Sequence, residues 1–356
     1  MLFSPMNLGE LELNNRLVMA PLTRVRSGKE GIPGPLVVEY YRQRASLGLI
    51  VSEGTFPSHA GRGFPGQPGL VTEEQLGGWA KVTSAVHAEG GRIFAQVMHA
   101  GRVTHEATTG GYEVVAPSAI AIDGETRTYE GKKTLPVPHA LTADELPGVV
   151  EEFVTASRNA IGAGFDGVEL HSANGYLLHE FLSPASNQRD DVYGGSPENR
   201  ARFVIEVTEA VVAAIGADRV GIRISPEHNI QGALEQDAAD VRATYGHLVD
   251  TLAPLKLAYL SVLHKEPTGG LVQDLRSRFG GKFLLNTGFS SITTPEEASS
   301  LVADGHADAV VVGRPAIANP DLVRRWREGL PVNEPDQATF YSEGAEGYTD
   351  YPAYQN

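Results

Sequence analysis

Residues 165–176, Phe165-Asp166-Gly167-Val168-Glu169-Leu170-His171-Ser172-Ala173-Asn174-Gly175-Tyr176, run from an apolar pattern straight into three different hydrogen-bonding side chains. Histidine and asparagine can both donate to one ligand oxygen, and a phenol two residues further on can supply a proton. The segment 166–170 follows the helix punctuation Gly162-Ala163-Gly164 and has the Val/Leu content of a strand covered on both faces. His171, Asn174 and Tyr176 then sit where that strand opens into a loop. The plain alternative is that His171 and Asn174 cap the next helix or satisfy loop backbone.

Other strand ends carry chemistry of the same kind. The first ends in Pro21-Leu22-Thr23, the second in Glu53-Gly54-Thr55, the third carries Gln96, the fifth Arg223, the seventh ends in Asn286-Thr287-Gly288 and the eighth in Gly313-Arg314. Gly288 and Gly313 let backbone N–H groups approach an anion and Arg314 adds a bidentate donor, a phosphate site of the kind barrels build after their last two strands. A guanidinium inside a strand, as at Arg223, costs several kcal/mol unless an anion accompanies it. That anion is either Glu169 on the neighbouring strand, a fixed pair without chemistry, or a ligand that becomes negative during turnover. Gln96 and Thr23 offer amide and hydroxyl groups to the edge of a flat heterocycle. An anionic heterocycle, amide partners and a phosphate together suggest flavin mononucleotide (FMN).

The elements that must position these residues follow a βαβ rhythm from end to end. Strand patterns fall at 17–20, 49–52, 93–97, 167–170, 220–224, 258–262, 283–286 and 309–312. Helical patterns fall at 35–46, 73–88, 143–161, 197–214, 238–252, 271–278, 295–303 and 321–327. Eight such pairs without a low-complexity linker predict an α/β fold, a single (β/α)8 barrel (TIM barrel) spanning residues 1–356 as one domain. A doubly wound sheet with a second domain would need a break that the chain does not show. Residues 8–16 read as a small hairpin able to plug the bottom of the barrel, and 104–139 as a long insertion after strand three, the usual form of a lid or binding loop.

Composition bounds the function class. The 356 residues contain 41% hydrophobic and 21% charged residues and no apolar run of membrane length. Cysteine is absent, which removes disulfides, thiol nucleophiles and zinc–thiolate sites. A formal charge of −15 argues against nucleic acid as a partner. The N-terminus shows neither a basic leader nor an apolar core segment, so a cytoplasmic location is expected. No histidine pair has metal-ligand spacing, and no metal is expected. Gly61-Arg62-Gly63-Phe64-Pro65-Gly66 mimics a dinucleotide fingerprint, but Pro65 and Pro68 forbid the helix that such glycines must open.

Taken in order, the stretches Met19-Ala20-Pro21-Leu22-Thr23-Arg24, Ser52-Glu53-Gly54-Thr55, 171–179, 191–196, 318–322 and the tail 340–352 resemble those of the Old Yellow Enzymes. The resemblance extends to the bacterial branch that includes pentaerythritol tetranitrate and N-ethylmaleimide reductases, and covers nearly the whole chain. It implies an NAD(P)H-dependent ene-reductase with non-covalent FMN, reducing alkenes activated by carbonyl or nitro groups in ping-pong fashion. By that resemblance Pro21, Leu22 and Thr23 contact the flavin, Gly54 and Gln96 hold its pyrimidine ring, Arg223 stabilises its reduced anion, and Gly288, Gly313 and Arg314 hold the phosphate. His171 and Asn174 become the substrate-binding pair and Tyr176 the proton donor, with NADPH or NADH as reductant. Met98 stands where many relatives carry tryptophan, Phe64 where tyrosine is frequent, and Tyr341 closes the cavity from the tail. Three other readings stay open: reductive denitration of nitrate esters on the same site, a flavin-free phosphate-binding isomerase or lyase using His171 and Tyr176, and a flavin-storing or ligand-sensing protein.

Overall fold

The computed structural model describes residues 1–289 and 291–355. Eight parallel strands close into a barrel: β1 (Leu17–Met19), β2 (Leu49–Val51), β3 (Ile93–Val97), β4 (Gly167–Ser172), β5 (Val220–Ile224), β6 (Tyr259–Leu263), β7 (Phe283–Asn286) and β8 (Ala309–Val312), with β4 bonded to β3 and β8 to β1. Every residue of these strands is buried, which is why the sequence shows near-continuous apolar runs rather than alternation.

The period of two survives in what each face touches. Leu17, Ile50, Ile93, Val168, Ile222 and Val310 point outward into the core shared with the helices. Val18, Leu49, Val51, Phe94, Tyr259, Leu284 and Val311 point inward as a separate apolar layer. The hairpin of Met6–Leu8 and Leu11–Leu13 closes that layer from below, with Leu8 and Leu13 fully buried in it, each worth about 1.5–3 kcal/mol of burial. The expected plug is therefore present. Gly167 and Gly221 leave room for the inner aromatics: a Cβ there would stand 2.4 Å from Phe94 and 2.3 Å from Tyr259.

Above the apolar layer the same inward face turns polar, carrying Gln96, Glu169, His171, Arg223, Ser261 and Asn286. These are the residues the fold aims at the C-terminal mouth.

Several element boundaries differ from expectation. The helix expected over 143–161 is Leu146–Gly162, because the Glu145 carboxylate accepts from Thr142 N and Oγ1 and holds the chain back before Pro147. The helix expected to 46 ends at Gln43. Strand β4 runs on to Ser172, so His171 lies within the strand rather than in the loop after it. The insertion is not bare loop: it holds a helical turn, Glu106–Thr109, and a hairpin, Glu125–Thr128 with Gly131–Thr134. Tyr129 at the hairpin tip latches onto the β2 loop, its hydroxyl accepting from Arg62 and from Gly66 N at 2.9 Å. The glycine-spaced residues 61–66 in that loop form turns and open no helix.

Candidate active site

Strand register brings the polar residues together. On β4, His171 lies opposite Arg223 of β5, and Glu169 opposite Gln96 of β3. Gln96 Nε2 donates to Glu169 Oε1 at 2.8 Å and to His171 Nδ1 at 3.3 Å. With Nδ1 accepting, the imidazole hydrogen sits on Nε2. Burial, then the Arg223 charge, holds His171 well below its ordinary value of 6.5, so the ring stays a neutral Nε2–H donor. Glu169 also accepts from Tyr259 Oη at 3.0 Å, and burial pushes its carboxyl up against the pull of Arg223.

Asn174 takes a left-handed backbone, φ +60°, and Gly175 continues it at +81°. Neither His171 nor Asn174 caps a helix. The helix Leu177–Leu182 has Tyr176 at its N-cap and no side-chain cap bond, so the phenol is left for other work. The Tyr176 ring lies 5.3 Å from His171 and 6.3 Å, edge-on, from Phe64. Burial pushes the phenol up to about 12 against a hydrogen bond with Gln231, and Tyr341 adds a smaller upward push. Asn174 Oδ1 is buried without a partner.

Arg223 bears on one alternative left open by the sequence. It is 3% exposed and makes no ion pair with Glu169. Its contacts are two long hydrogen bonds of 3.4 Å, to Ser261 Oγ and Asn286 Oδ1, and its Nε has no partner. Burial depresses its pKa, with Glu169 only a partial offset. A buried, under-partnered guanidinium carries an uncompensated desolvation cost in the chain alone.

Glycines bring backbone close to these side chains. A Cβ on Gly54 would stand 2.6 Å from Met98 Sδ and 3.4 Å from Gln96 Oε1, so the backbone approaches that corner closely. Glu53 Oε2 accepts from Arg24 N and Val25 N at 3.0 and 2.9 Å, which fixes the turn presenting half-buried Pro21, Leu22 and Thr23. Gly288, at φ +95°, has no atom closer than 3.9 Å to its Cβ position, and a Cβ on Gly313 would stand 3.4 Å from Leu22. Arg314 donates to Phe289 O and Ser291 O at 2.6 and 2.7 Å, bracing the β7 loop. Tyr341 is 59% exposed on a tail pinned by Arg24, which donates to Phe340 O and Gly347 O, and by Arg26.

Sequence reading missed the residues beneath this layer. Ser225, Gln231, His179 and Glu235 all bond the 174–176 turn or each other. His179 closes the motif 171–179, whereas Gln231 lies in the loop after β5, outside every matching stretch. Among the described residues no group of His, Asp and Glu is arranged to hold a metal ion, and no helix is long and apolar enough to cross a membrane.

Comparison with known proteins places this closed barrel among the flavin oxidoreductases. Residues 1–333 match the NADH:flavin oxidoreductase / NADH oxidase family. A probable flavin mononucleotide-dependent alkene reductase of Leishmania infantum is 44% identical over 360 residues, covering 99% of this chain and 97% of that protein. The Old Yellow Enzyme homologue of Zymomonas mobilis superposes with a TM-score of 0.93 at 40% identity, covering 99% of both chains. Morphinone reductase in complex with tetrahydroNAD superposes with a TM-score of 0.93 at 43% identity, covering 100% of this chain and 98% of its own. The chain belongs to the Old Yellow Enzyme family, FMN enzymes whose reductant is a nicotinamide nucleotide. The orphaned Arg223 Nε and the close approach at Gly54 fit that cofactor.

Proposed function

We propose that this chain reduces alkenes conjugated to a carbonyl or nitro group, holding the activating oxygen between His171 and Asn174 and protonating the α-carbon from Tyr176. The observation that carries the reading is fixed protonation: Gln96 leaves His171 with its hydrogen on Nε2, and its surroundings keep the Tyr176 proton in place up to about 12. Bound FMN would supply the hydride chemistry that links the nicotinamide nucleotide to the β-carbon of the alkene. Pro21, Leu22, Thr23, Gly54 and Gln96 would hold its ring, Arg223 would offset its negative charge, and Gly288, Gly313 and Arg314 would hold its phosphate. Two preorganised donors on the substrate oxygen stabilise the charge that develops there, each worth about 3 kcal/mol of barrier. Both partners use the one mouth in turn. The tail pinned by Arg24 and Arg26 lies beyond the family match and supports residues 1–356 as one functional unit.

Tyr176→Phe tests the proton step. It should slow alkene reduction about 10²-fold or more while leaving flavin reduction by the nicotinamide nucleotide nearly intact, since only the alkene half-reaction needs a proton at carbon. Stopped-flow measurement of each half-reaction separates the two, and equal losses would assign Tyr176 a packing role. With the phenol at about 12, the wild-type alkene rate should stay flat from neutral pH to about 10.

Met98 supports a substrate-wall role by its place. It is 2% exposed, with Sδ against Gly54 and Cε 3.6 Å from the Cβ position of Gly63, next to Phe64. Tryptophan at 98 has no room toward Gly54 and must extend away from it, on the proposed reading toward the substrate. Met98→Trp should keep its rate on 2-cyclohexenone, lose rate on bulky β-substituted enones and shift product enantiomer ratios. Chiral chromatography over a substrate panel checks this; unchanged ratios would place Met98 away from substrate.

A further inference from the structure

The turn that carries Asn174 and Tyr176 is held from outside its own strand. Asn174 N donates to Ser225 Oγ at 2.8 Å, Asn174 O accepts from Gln231 Nε2 at 2.6 Å, and Gly175 N donates to His179 Nδ1 at 2.9 Å. Three consecutive polar groups of a left-handed turn thus have their partners in the β5 loop or in a residue tied to it. The tie is Glu235: its Oε1 accepts from His179 Nε2 at 3.1 Å and from Tyr245 Oη at 2.7 Å, while Oε2 accepts from Glu227 N at 2.8 Å. His179 is fully buried and Glu235 4% exposed.

Glu235 fixes the tautomer that the turn needs. An imidazole donating from Nε2 to a carboxylate has its lone pair at Nδ1, where Gly175 N–H points. Without that carboxylate the ring is free to carry its hydrogen on Nδ1, which sets two donors against each other. Asparagine at φ +60° is a costly conformation, and the β5 loop shares the strain, with Glu227, Asn229 and Gln231 also at positive φ. Such backbone persists only where its surroundings over-determine it.

We propose that His179, oriented by Glu235, is a positioning residue that sets Asn174 and Tyr176 against the substrate, coupling the β5 loop to the proton-delivery turn. The proposal rests on the reading of Asn174 and Tyr176 above. Asparagine places its Oδ1 at the site of histidine Nδ1, so His179→Asn keeps an acceptor for Gly175 N–H and His179→Leu removes it.

The test compares both variants as FMN-loaded enzymes. His179→Leu should slow the alkene half-reaction about tenfold or more, weaken phenol binding over the flavin by a similar factor, and retain full flavin; His179→Asn should recover both to within about threefold of wild type. Hydrogen exchange of the peptide spanning 173–178, measured with and without flavin, should quicken in His179→Leu and not in His179→Asn. If His179→Leu does not fold, Ser225→Ala, which removes the acceptor of Asn174 N–H, should show the same pattern. A His179→Leu enzyme, or in its place a Ser225→Ala enzyme, with wild-type alkene rate and phenol affinity overturns the proposal, as does a His179→Asn enzyme as impaired as His179→Leu. Tyr176→Phe run in parallel separates the two ideas: slow Tyr176→Phe beside normal His179→Leu sinks the positioning role alone, whereas a normal Tyr176→Phe sinks the proton donor itself.

Discussion

Arg223→Met should weaken FMN binding about a hundredfold while leaving the flavin-free protein as stable as wild type, or more stable by about 1–4 kcal/mol. On the proposed reading the two signs differ because the guanidinium serves a ligand. In the chain alone it is buried with Nε unpartnered and two contacts at 3.4 Å, so replacing it by an apolar side chain of similar length removes a desolvation cost. Arg223 would offset the negative charge of bound FMN, and its loss should also lower the flavin reduction potential. Fluorescence titration of stripped protein with FMN, together with urea unfolding of the stripped protein, reads both quantities. A protein strongly destabilised without flavin, with FMN affinity unchanged, would make Arg223 a structural partner of Glu169.

The double variant His171→Ala, Asn174→Ala should lose phenol binding entirely and slow alkene reduction at least a hundredfold, with FMN content unchanged. Removing one preorganised donor of this kind costs about 10²–10³ in rate, and two donors converging on one oxygen do not add independently. Phenols offer the cleanest readout, because a phenolate held over the oxidised ring gives a long-wavelength charge-transfer band. The neutral His171 ring, fixed by Gln96, donates from Nε2 across the pH range in which phenols are titrated. Phenol titrations that look alike in wild type and double variant would mean that the pair does not bind the substrate oxygen.

What the sequence determined by itself is local. Runs such as Leu49–Val51 and Ala309–Val312 are strands because only a strand covered on both faces is apolar throughout, and eight of them between amphipathic helices leave little choice but a closed barrel. His171, Asn174, Tyr176, Gln96 and Arg223 were legible as candidate site residues because polar side chains at the ends of such strands are unusual in a buried barrel. Partnership was not legible. The Gln96 contacts with Glu169 and His171 span 73 and 75 residues, and those of Asn174 with Ser225 and Gln231 span 51 and 57. Such pairs exist only once the barrel closes in one register, and a slip of one residue would turn every inward side chain outward. Hence only the tertiary structure decided that Arg223 lacks an ion pair with Glu169, that His171 is the last inward residue of β4, and that a buried His179–Glu235 pair stands behind the turn of Asn174 and Tyr176.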